Sequence, residues 1–81
     1  MDKQTIFQDI RLILNETFEI DPAGVTLASL LYEDLDLDSI DAIDLVVKIQ
    51  DRTGQKVKPD DFKSARSVED VVNIIADFFP A

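Results

Sequence analysis

The sequence predicts a small all-α protein, a four-helix bundle with three main helices, one short helix and a long first loop. Apolar residues recur at helical spacing in three segments, and no segment shows the alternation of apolar and polar residues that is typical of a half-buried strand. The chain has 81 residues, of which 46% are hydrophobic, so it can bury one modest core. We therefore expect a single domain over residues 1–81, with helices packed on one another.

The first helix is predicted to run from about Lys3 to Phe18, with Asp2 as its N-cap. Helical spacing is followed by Ile6, Ile10, Ile13 and Thr17, with Phe7 and Leu14 alongside. A loop then runs from about Glu19 to Leu37, and it contains Pro22 and Gly24 as well as many apolar residues. We expect this loop to lie against the core, because apolar side chains favour burial and long structureless loops are uncommon in small domains.

The second helix is predicted to begin near Ser39 and to end near Thr53. Asp38 is a good N-cap, Asp41 falls three residues later as in a capping box, and Gly54 is a natural stop. An apolar stripe along this helix consists of Ile40, Ile43, Val46, Val47 and Ile49. The pattern indicates an amphipathic helix.

The short helix is predicted after Pro59, over Asp60 to Lys63. The last helix opens with Ser67 as N-cap and Asp70 at the third position, and Pro80 ends it. Its buried face is predicted to consist of Val68, Val71, Val72, Ile75 and Phe78.

The formal net charge is -9, and all of it lies in one region of the chain. Residues 12–47 contain nine acids and neither Lys nor Arg, whereas the remaining residues hold eight bases and eight acids. Such a field repels nucleic acid and anionic lipid and attracts basic protein surfaces. No signal peptide and no apolar run of membrane-spanning length is visible, so we expect a cytoplasmic protein with no membrane partner.

The chain has no Cys and no His, which excludes disulfides, thiolate chemistry, histidine catalysis and the usual zinc sites. Ser39 stands among six acids in the segment EDLDLDSIDAID. Asp34, Asp36 and Asp38 have the 1, 3, 5 spacing that begins a calcium-binding EF-hand loop. The sixth position, which requires Gly, is Ser39, and the twelfth, which requires Glu, is Leu45. Clustered acids attract cations weakly, but no defined metal site is predicted.

Three interpretations of Ser39 are open. A catalytic nucleophile needs a nearby base, and no His exists and no Lys lies close in sequence, so an enzyme is not predicted. A simple helix cap by Asp38 and Ser39 explains where the helix begins but not the absence of every base over 36 residues. In the third interpretation Ser39 is modified: a phosphodiester there would meet the positive end of the helix dipole, and the surrounding acids would attract basic enzymes.

The segment LYEDLDLDSIDAIDLVV resembles the region around the modified serine of acyl carrier proteins. The resemblance continues through TGQKV, PDDF and SVEDVVNII and, with the first helix, covers essentially the whole chain in the right order. It implies that Ser39 carries 4′-phosphopantetheine, transferred from coenzyme A by a separate phosphopantetheinyl transferase. The arm would hold acyl groups as thioesters and present them to fatty-acid, polyketide or unusual-lipid enzymes. The chain itself would be a monomeric carrier and not an enzyme.

The resemblance also assigns roles to further residues. Asp38 lies beside the attachment serine, and Asp36, Asp41 and Asp44 are expected to meet Arg or Lys on docking enzymes. Acyl chains of the family can fold into an apolar cleft between the helices. The matching positions here are Leu45, Ile49, Val57, Phe62 and Ala65. Ordinary core packing explains each of these five residues equally well.

Several residues depart from the family pattern. Asp36 stands where Gly is frequent, and Ile40 stands where Leu is more usual. The end of the second helix reads KIQDR over residues 48–52 instead of a run of Glu, and Thr53 replaces a frequent aromatic. We infer a carrier for a dedicated pathway rather than the housekeeping fatty-acid carrier.

Two alternatives stay open at this point. A peptidyl or aminoacyl carrier commonly shows a Gly-Gly-(His/Asp)-Ser pattern, which LDLDSI does not match well. An unmodified acidic helical module that recruits a basic partner would explain the charge without any modification of Ser39.

Overall fold

Three α-helices and two 3₁₀ helices enclose one core in the computed structural model of this chain, which describes residues 2–54 and 56–78. The elements in chain order are helix α1 at Lys3–Phe18, the first 3₁₀ helix at Pro22–Gly24, helix α2 at Ser39–Thr53, the second 3₁₀ helix at Pro59–Phe62 and helix α3 at Val68–Phe78. No strand occurs in the described ranges, although Leu30 and Ser67 form an isolated β-bridge. The predicted all-α fold class is confirmed, and the predicted short helix is of the 3₁₀ type.

Helix α1 begins and ends through local backbone chemistry. The Asp2 carboxylate accepts a hydrogen bond from the Thr5 N–H at 2.7 Å, which confirms the predicted N-cap and lowers the pKa of Asp2. At the other end, Glu19 adopts the left-handed conformation with φ of 58°, and the Ile20 N–H reaches back to the Leu14 carbonyl at 3.3 Å. The Asp2 bond satisfies an N–H that the helix start would otherwise leave without a partner, and the Ile20 bond closes the last turn around the left-handed residue.

The long first loop lies against the core, as its composition predicts. Val25, Leu31, Leu35 and Leu37 are all buried. Three backbone bonds tie the loop to the start of α3: Leu31 N–H to the Arg66 carbonyl, Val68 N–H to the Ser29 carbonyl, and Glu69 N–H to the Leu27 carbonyl, with lengths of 2.8, 3.0 and 3.0 Å. The loop is therefore a wall of the bundle.

Helix α2 carries two rows of apolar residues, and only one of them faces the core. The buried row consists of Leu45, Val46 and Ile49. The predicted stripe is therefore buried only at Val46 and Ile49. Its other members, Ile40, Ile43 and Val47, are 73%, 50% and 44% exposed. Spacing of three and four residues places these three in a row of their own, which the bundle leaves uncovered.

Helix α3 starts at a reciprocal cap. Ser67 Oγ accepts from the Asp70 N–H at 3.2 Å, while the Asp70 carboxylate accepts from the N–H groups of Arg66 and Ser67 at 3.0 and 3.2 Å. The predicted cap is confirmed. The face beyond it is buried at Val68, Val71, Val72 and Ile75, and Phe78 packs half-buried against the same core. The predicted stop at Pro80 lies outside the described residues.

Helix α1 packs on both α2 and α3, and the second 3₁₀ helix contacts α2 and α3. One ion pair, Arg52 Nε to Asp9 Oδ1 at 3.3 Å, links α2 to α1 at the surface. None of the helices within the described ranges is long and apolar enough to cross a membrane.

The stability contributed by Asp70 should depend on pH. Bonds from the backbone N–H groups of Arg66 and Ser67 lower the pKa of Asp70 in the folded chain from its ordinary value of 3.8. Its contribution is therefore complete above the unfolded pKa and is lost as the pH falls through the folded pKa. We expect Asp70→Asn to reduce the free energy of unfolding at pH 7. The gap in this free energy between the unchanged chain and the variant should close in acid, below the ordinary Asp pKa.

Urea unfolding at a series of pH values measures this gap. Asp77→Asn removes an exposed acid of the same helix that forms no hydrogen bond within the described ranges, so it controls for the loss of charge alone. A gap for Asp70→Asn that stays constant from neutral pH into acid would contradict the prediction.

Candidate functional site

Ser39 is the first residue of α2, and its side chain is exposed. Asp38, the N-cap, accepts from the Asp41 N–H at 2.8 Å, and the Asp41 carboxylate accepts from the Asp38 N–H at 3.2 Å. This is the predicted capping box, and it is confirmed. Because two carboxylates already bind the backbone at the helix start, the Ser39 hydroxyl is left available for other chemistry.

The backbone around Ser39 also presents donors. No acceptor within the described ranges takes a hydrogen bond from the N–H groups of Ser39 and Ile40. Such free groups at a helix start, together with the helix dipole, favour an anionic group. The site therefore offers both a reachable hydroxyl and a place for a negatively charged substituent on it.

The approach to Ser39 is a tight turn of the loop. Asp34 N–H and Leu35 N–H both donate to the Leu30 carbonyl, at 2.9 and 3.1 Å, and Leu37 N–H donates to the Leu31 carbonyl at 3.1 Å. Leu35 and Leu37 are buried, while Asp36 between them is exposed with φ of 59°. Burial of both neighbours holds Asp36 in the left-handed region, which Gly adopts without strain and which Asp and Asn adopt more readily than other residues.

An open cavity of about 300 Å³ lies beside Ser39. We name it the serine groove. Its lining residues are Tyr32, Ser39, Ala42, Ile43, Val46, Asp60, Phe62 and Lys63. The groove is formed by the first loop, α2 and the second 3₁₀ helix, so three elements distant in sequence meet around one hydroxyl.

The residues predicted to dock partners lie near the start of α2. Asp36 and Asp44 are exposed and Asp41 is half-buried. The exposed row formed by Ile40, Ile43 and Val47 runs along the same helix, and its exposure was not predicted. A signal was present, because two apolar rows on one helix of a small bundle exceed what a single packing face buries.

The five predicted cleft residues divide into two groups. Leu45, Ile49, Val57 and Ala65 are buried in the common core, whereas Phe62 is half-buried and lines the serine groove. Gln50 Nε2 donates to the Val57 carbonyl and so ties α2 to the segment that precedes the second 3₁₀ helix. A cargo cleft among these residues stays a prediction.

The acids near Ser39 do not converge on a common point. Asp34 accepts from the Leu30 N–H at 2.8 Å, and Asp38 accepts from the Asp41 N–H, so each carboxylate is turned to its own stretch of backbone. Within the described ranges no group of three or more acids is placed to hold a metal ion.

Comparison with known proteins identifies the family. Residues 8–75 match the family model described as a phosphopantetheine attachment site. An acyl carrier protein 2 from Ralstonia nicotianae is 48% identical over 81 residues, which is the full length of both chains. The chain belongs to the acyl carrier protein family. Further members include acyl carrier proteins from Coprothermobacter proteolyticus, 33% identical over 93% of this chain and 92% of the relative, and from Campylobacter concisus, 33% identical over 86% and 91%.

Family membership confirms three predictions and the general part of a fourth, which concerns partners. The chain is an acyl carrier, and its cofactor is covalently attached phosphopantetheine. Acyl carrier proteins are carriers and not catalysts, so the prediction that the chain is not an enzyme is also confirmed. As for partners, acyl carrier proteins interact with biosynthetic enzymes and with a phosphopantetheinyl transferase.

The conformation of Asp36 leads to a stability prediction for this acyl carrier protein. We expect Asp36→Gly to raise the free energy of unfolding by about 1 kcal/mol, because Gly adopts a positive φ without strain and because the change removes one acid from a crowded region. Urea unfolding at pH 7 measures the effect.

Two controls separate the causes. Asp36→Asn removes the charge and keeps the side chain, so its difference from Asp36→Gly reports the backbone contribution. Asp44→Gly, the same replacement inside α2, is expected to destabilise by about 0.3 kcal/mol, which is the difference in helix propensity. Equal stability of Asp36→Gly and Asp36→Asn would contradict a backbone contribution and attribute the gain to the loss of charge.

Proposed function

We propose that Ser39 is the residue that carries 4′-phosphopantetheine, and that the chain presents acyl thioesters to enzymes that dock on the first half of α2. The observation that supports this most directly is the placement of Ser39: exposed, at the first position of α2, and on the rim of an open groove. The residue lies inside the matched range of the family. When bound, the arm supplies the thiol that holds the acyl group.

The residues around Ser39 can accept the arm but cannot install it. In the loading reaction Ser39 Oγ bonds to the phosphorus on the pantetheine side of coenzyme A, adenosine 3′,5′-bisphosphate leaves, and the hydroxyl proton passes to a base. Asp38 and Asp41 are occupied in the capping box, and the chain has no His. The base therefore comes from the transferase. The free N–H groups of Ser39 and Ile40 then favour the resulting phosphodiester.

The docking surface combines charge with apolar area. We define the docking face as Asp36, Ile40, Asp41, Ile43, Asp44 and Val47. A partner suited to it has Arg or Lys around an apolar centre, because exposed carboxylates attract cations while Ile40, Ile43 and Val47 gain by leaving water. Exposed ion pairs are weak, at about 0.2–1 kcal/mol each, so the face binds through several contacts and releases its partner readily.

The second half of α2 carries positively charged side chains, whereas the first half carries acids. Lys48 is exposed, and Arg52 pairs with Asp9 on α1. A partner that follows α2 towards its end therefore meets cations after meeting acids. This supports a carrier for a dedicated polyketide-like or unusual-lipid pathway. Bulk fatty-acid elongation with housekeeping enzymes at the rate of a housekeeping carrier would contradict the assignment.

The remaining sequence-based expectations belong to the same proposal. We infer a single carrier domain over residues 1–81, a monomeric state and a cytoplasmic location, which all agree with this role. Storage of cargo among Leu45, Ile49, Val57 and Ala65 would require their packed core to open, because all four are buried.

Modification of Ser39 is directly measurable. Incubation of the chain with coenzyme A and a broad-specificity phosphopantetheinyl transferase should add the mass of one phosphopantetheine, as read from the intact protein by mass spectrometry. Ser39→Ala should abolish the gain in mass, since Ser39 is the residue that presents a hydroxyl at the start of α2. A matched control is Ser64→Ala, which removes another exposed serine and should leave the gain unchanged.

Two outcomes of the mass measurement would contradict the proposed role of Ser39. A mass gain that persists in Ser39→Ala would exclude Ser39 as the attachment site. Absence of any gain in the unchanged chain would favour the unmodified acidic interaction module.

The docking face can be tested with the same transferase. We expect Asp44→Lys to lower kcat/KM for modification by about two- to tenfold, because the reversal replaces an attraction by a repulsion. Ile40→Ser should lower it independently of salt, whereas the effect of Asp44→Lys should shrink as salt is added. Asp77→Lys on α3 makes the same charge change away from the face. Equal losses for Asp77→Lys and Asp44→Lys would mean that net charge, and not this face, governs docking.

A further inference from the structure

A second open cavity adjoins the serine groove. This cavity measures about 340 Å³, and its lining residues are Leu30, Tyr32, Glu33, Lys63, Ala65 and Arg66. Tyr32 and Lys63 line both cavities. The two cavities are therefore neighbours on the surface, with Ser39 in one and Ala65 and Arg66 in the other, and we call them together the channel.

Backbone hydrogen bonds hold both walls of this channel. Leu31, directly before Tyr32, donates to the Arg66 carbonyl at 2.8 Å. On the other wall, Lys63 N–H donates to the Asp60 carbonyl at 3.2 Å and Ala65 N–H donates to the Phe62 carbonyl at 3.0 Å. The backbone segments that carry Tyr32 and Lys63 are thus held in place by hydrogen bonds.

Lys63 is the single cation that lines the serine groove within the described ranges. Its side chain forms no ion pair and no hydrogen bond with any residue that the structure describes. The acids nearest to Ser39 are Asp60 in the groove and the pair Asp38 and Asp41 at the start of α2, while Glu33 lines the second cavity together with Arg66. A phosphodiester on Ser39 is repelled by all three of the nearest carboxylates, and Lys63 is the groove residue that attracts it.

From this arrangement, and given that Ser39 carries the arm, we propose that Lys63 is a positioning residue for phosphopantetheine. Its ammonium pairs with the phosphodiester, and the arm then lies along the channel over Tyr32 and Phe62 towards Arg66. The arm contains both apolar and amide groups. The lining suits it because apolar side chains such as Tyr32 and Ile43 lie beside polar ones. The carrier thereby keeps its arm on the surface between encounters, instead of leaving it free in solvent.

The experiment uses the modified chain and reads the position of the arm by NMR. Nuclear Overhauser contacts should join the methyl and methylene protons of the arm to the ring of Tyr32 and the side chain of Ile43. Lys63→Glu should weaken these contacts by about twofold or more, because the exposed ion pair between Lys63 and the phosphodiester is replaced by a repulsion. Lys63→Gln, which removes the charge without reversing it, should give a smaller loss.

The matched control is Lys56→Glu, which makes the same charge change at an exposed residue that lines neither cavity. It should leave the contacts unchanged, and circular dichroism should show that all variants keep their helices. Contacts that survive Lys63→Glu, or a modified chain without any contact between the arm and Tyr32, would overturn the role of Lys63 and leave Ser39 modification intact. A chain that gains no mass with the transferase would overturn both proposals.

Discussion

The reciprocal hydrogen bonds between Asp38 and Asp41 determine where α2 begins, and the beginning of α2 determines where the Ser39 hydroxyl is presented. A serine at a helix start is often the cap itself, and its oxygen then binds the backbone. Here the cap is Asp38, the residue before Ser39. The Asp38 carboxylate accepts a hydrogen bond from the Asp41 N–H at 2.8 Å. Ser39 becomes the first helical residue, so its hydroxyl is exposed, and the N–H groups of Ser39 and Ile40 have no acceptor within the described ranges.

The first loop provides the second constraint on the site. Its bonds to the start of α3 bring Leu30, Leu31 and Tyr32 next to the segment that follows the second 3₁₀ helix. Burial of Leu35 and Leu37 then turns Asp36 outwards in a left-handed conformation. The same packing that closes the bundle therefore also builds one wall of the groove beside Ser39. A loop that serves as a wall explains why so many of its residues are apolar.

The acidic residues around Ser39 fall into two groups. Asp34, Asp38 and Asp41 bind backbone N–H groups and hold the turn and the start of α2. Asp36 and Asp44 have no such bond within the described ranges and remain available to partners. Like charges close together repel one another, and the caps offset some of that cost. Affinity built from several weak, exposed contacts suits a family whose members must bind each enzyme briefly.

Local signals in the sequence were sufficient to predict the helices and their caps. Each of these signals acts over three or four residues of one segment. They are the helical spacing of apolar residues and the capping residues Asp2, Asp38 with Asp41, Gly54, and Ser67 with Asp70. The resemblance around Ser39 pointed to the family, which the comparisons confirmed.

Two features of the site depend instead on how the elements pack. Ile40, Ile43 and Val47 stay exposed, and Tyr32 and Lys63 share a channel with Ser39. Both apolar rows of α2 have the spacing of a buried face, and the row that is covered depends on where α1, the loop and the second 3₁₀ helix pack. That choice is made by contacts between residues far apart in the chain, which no local pattern encodes.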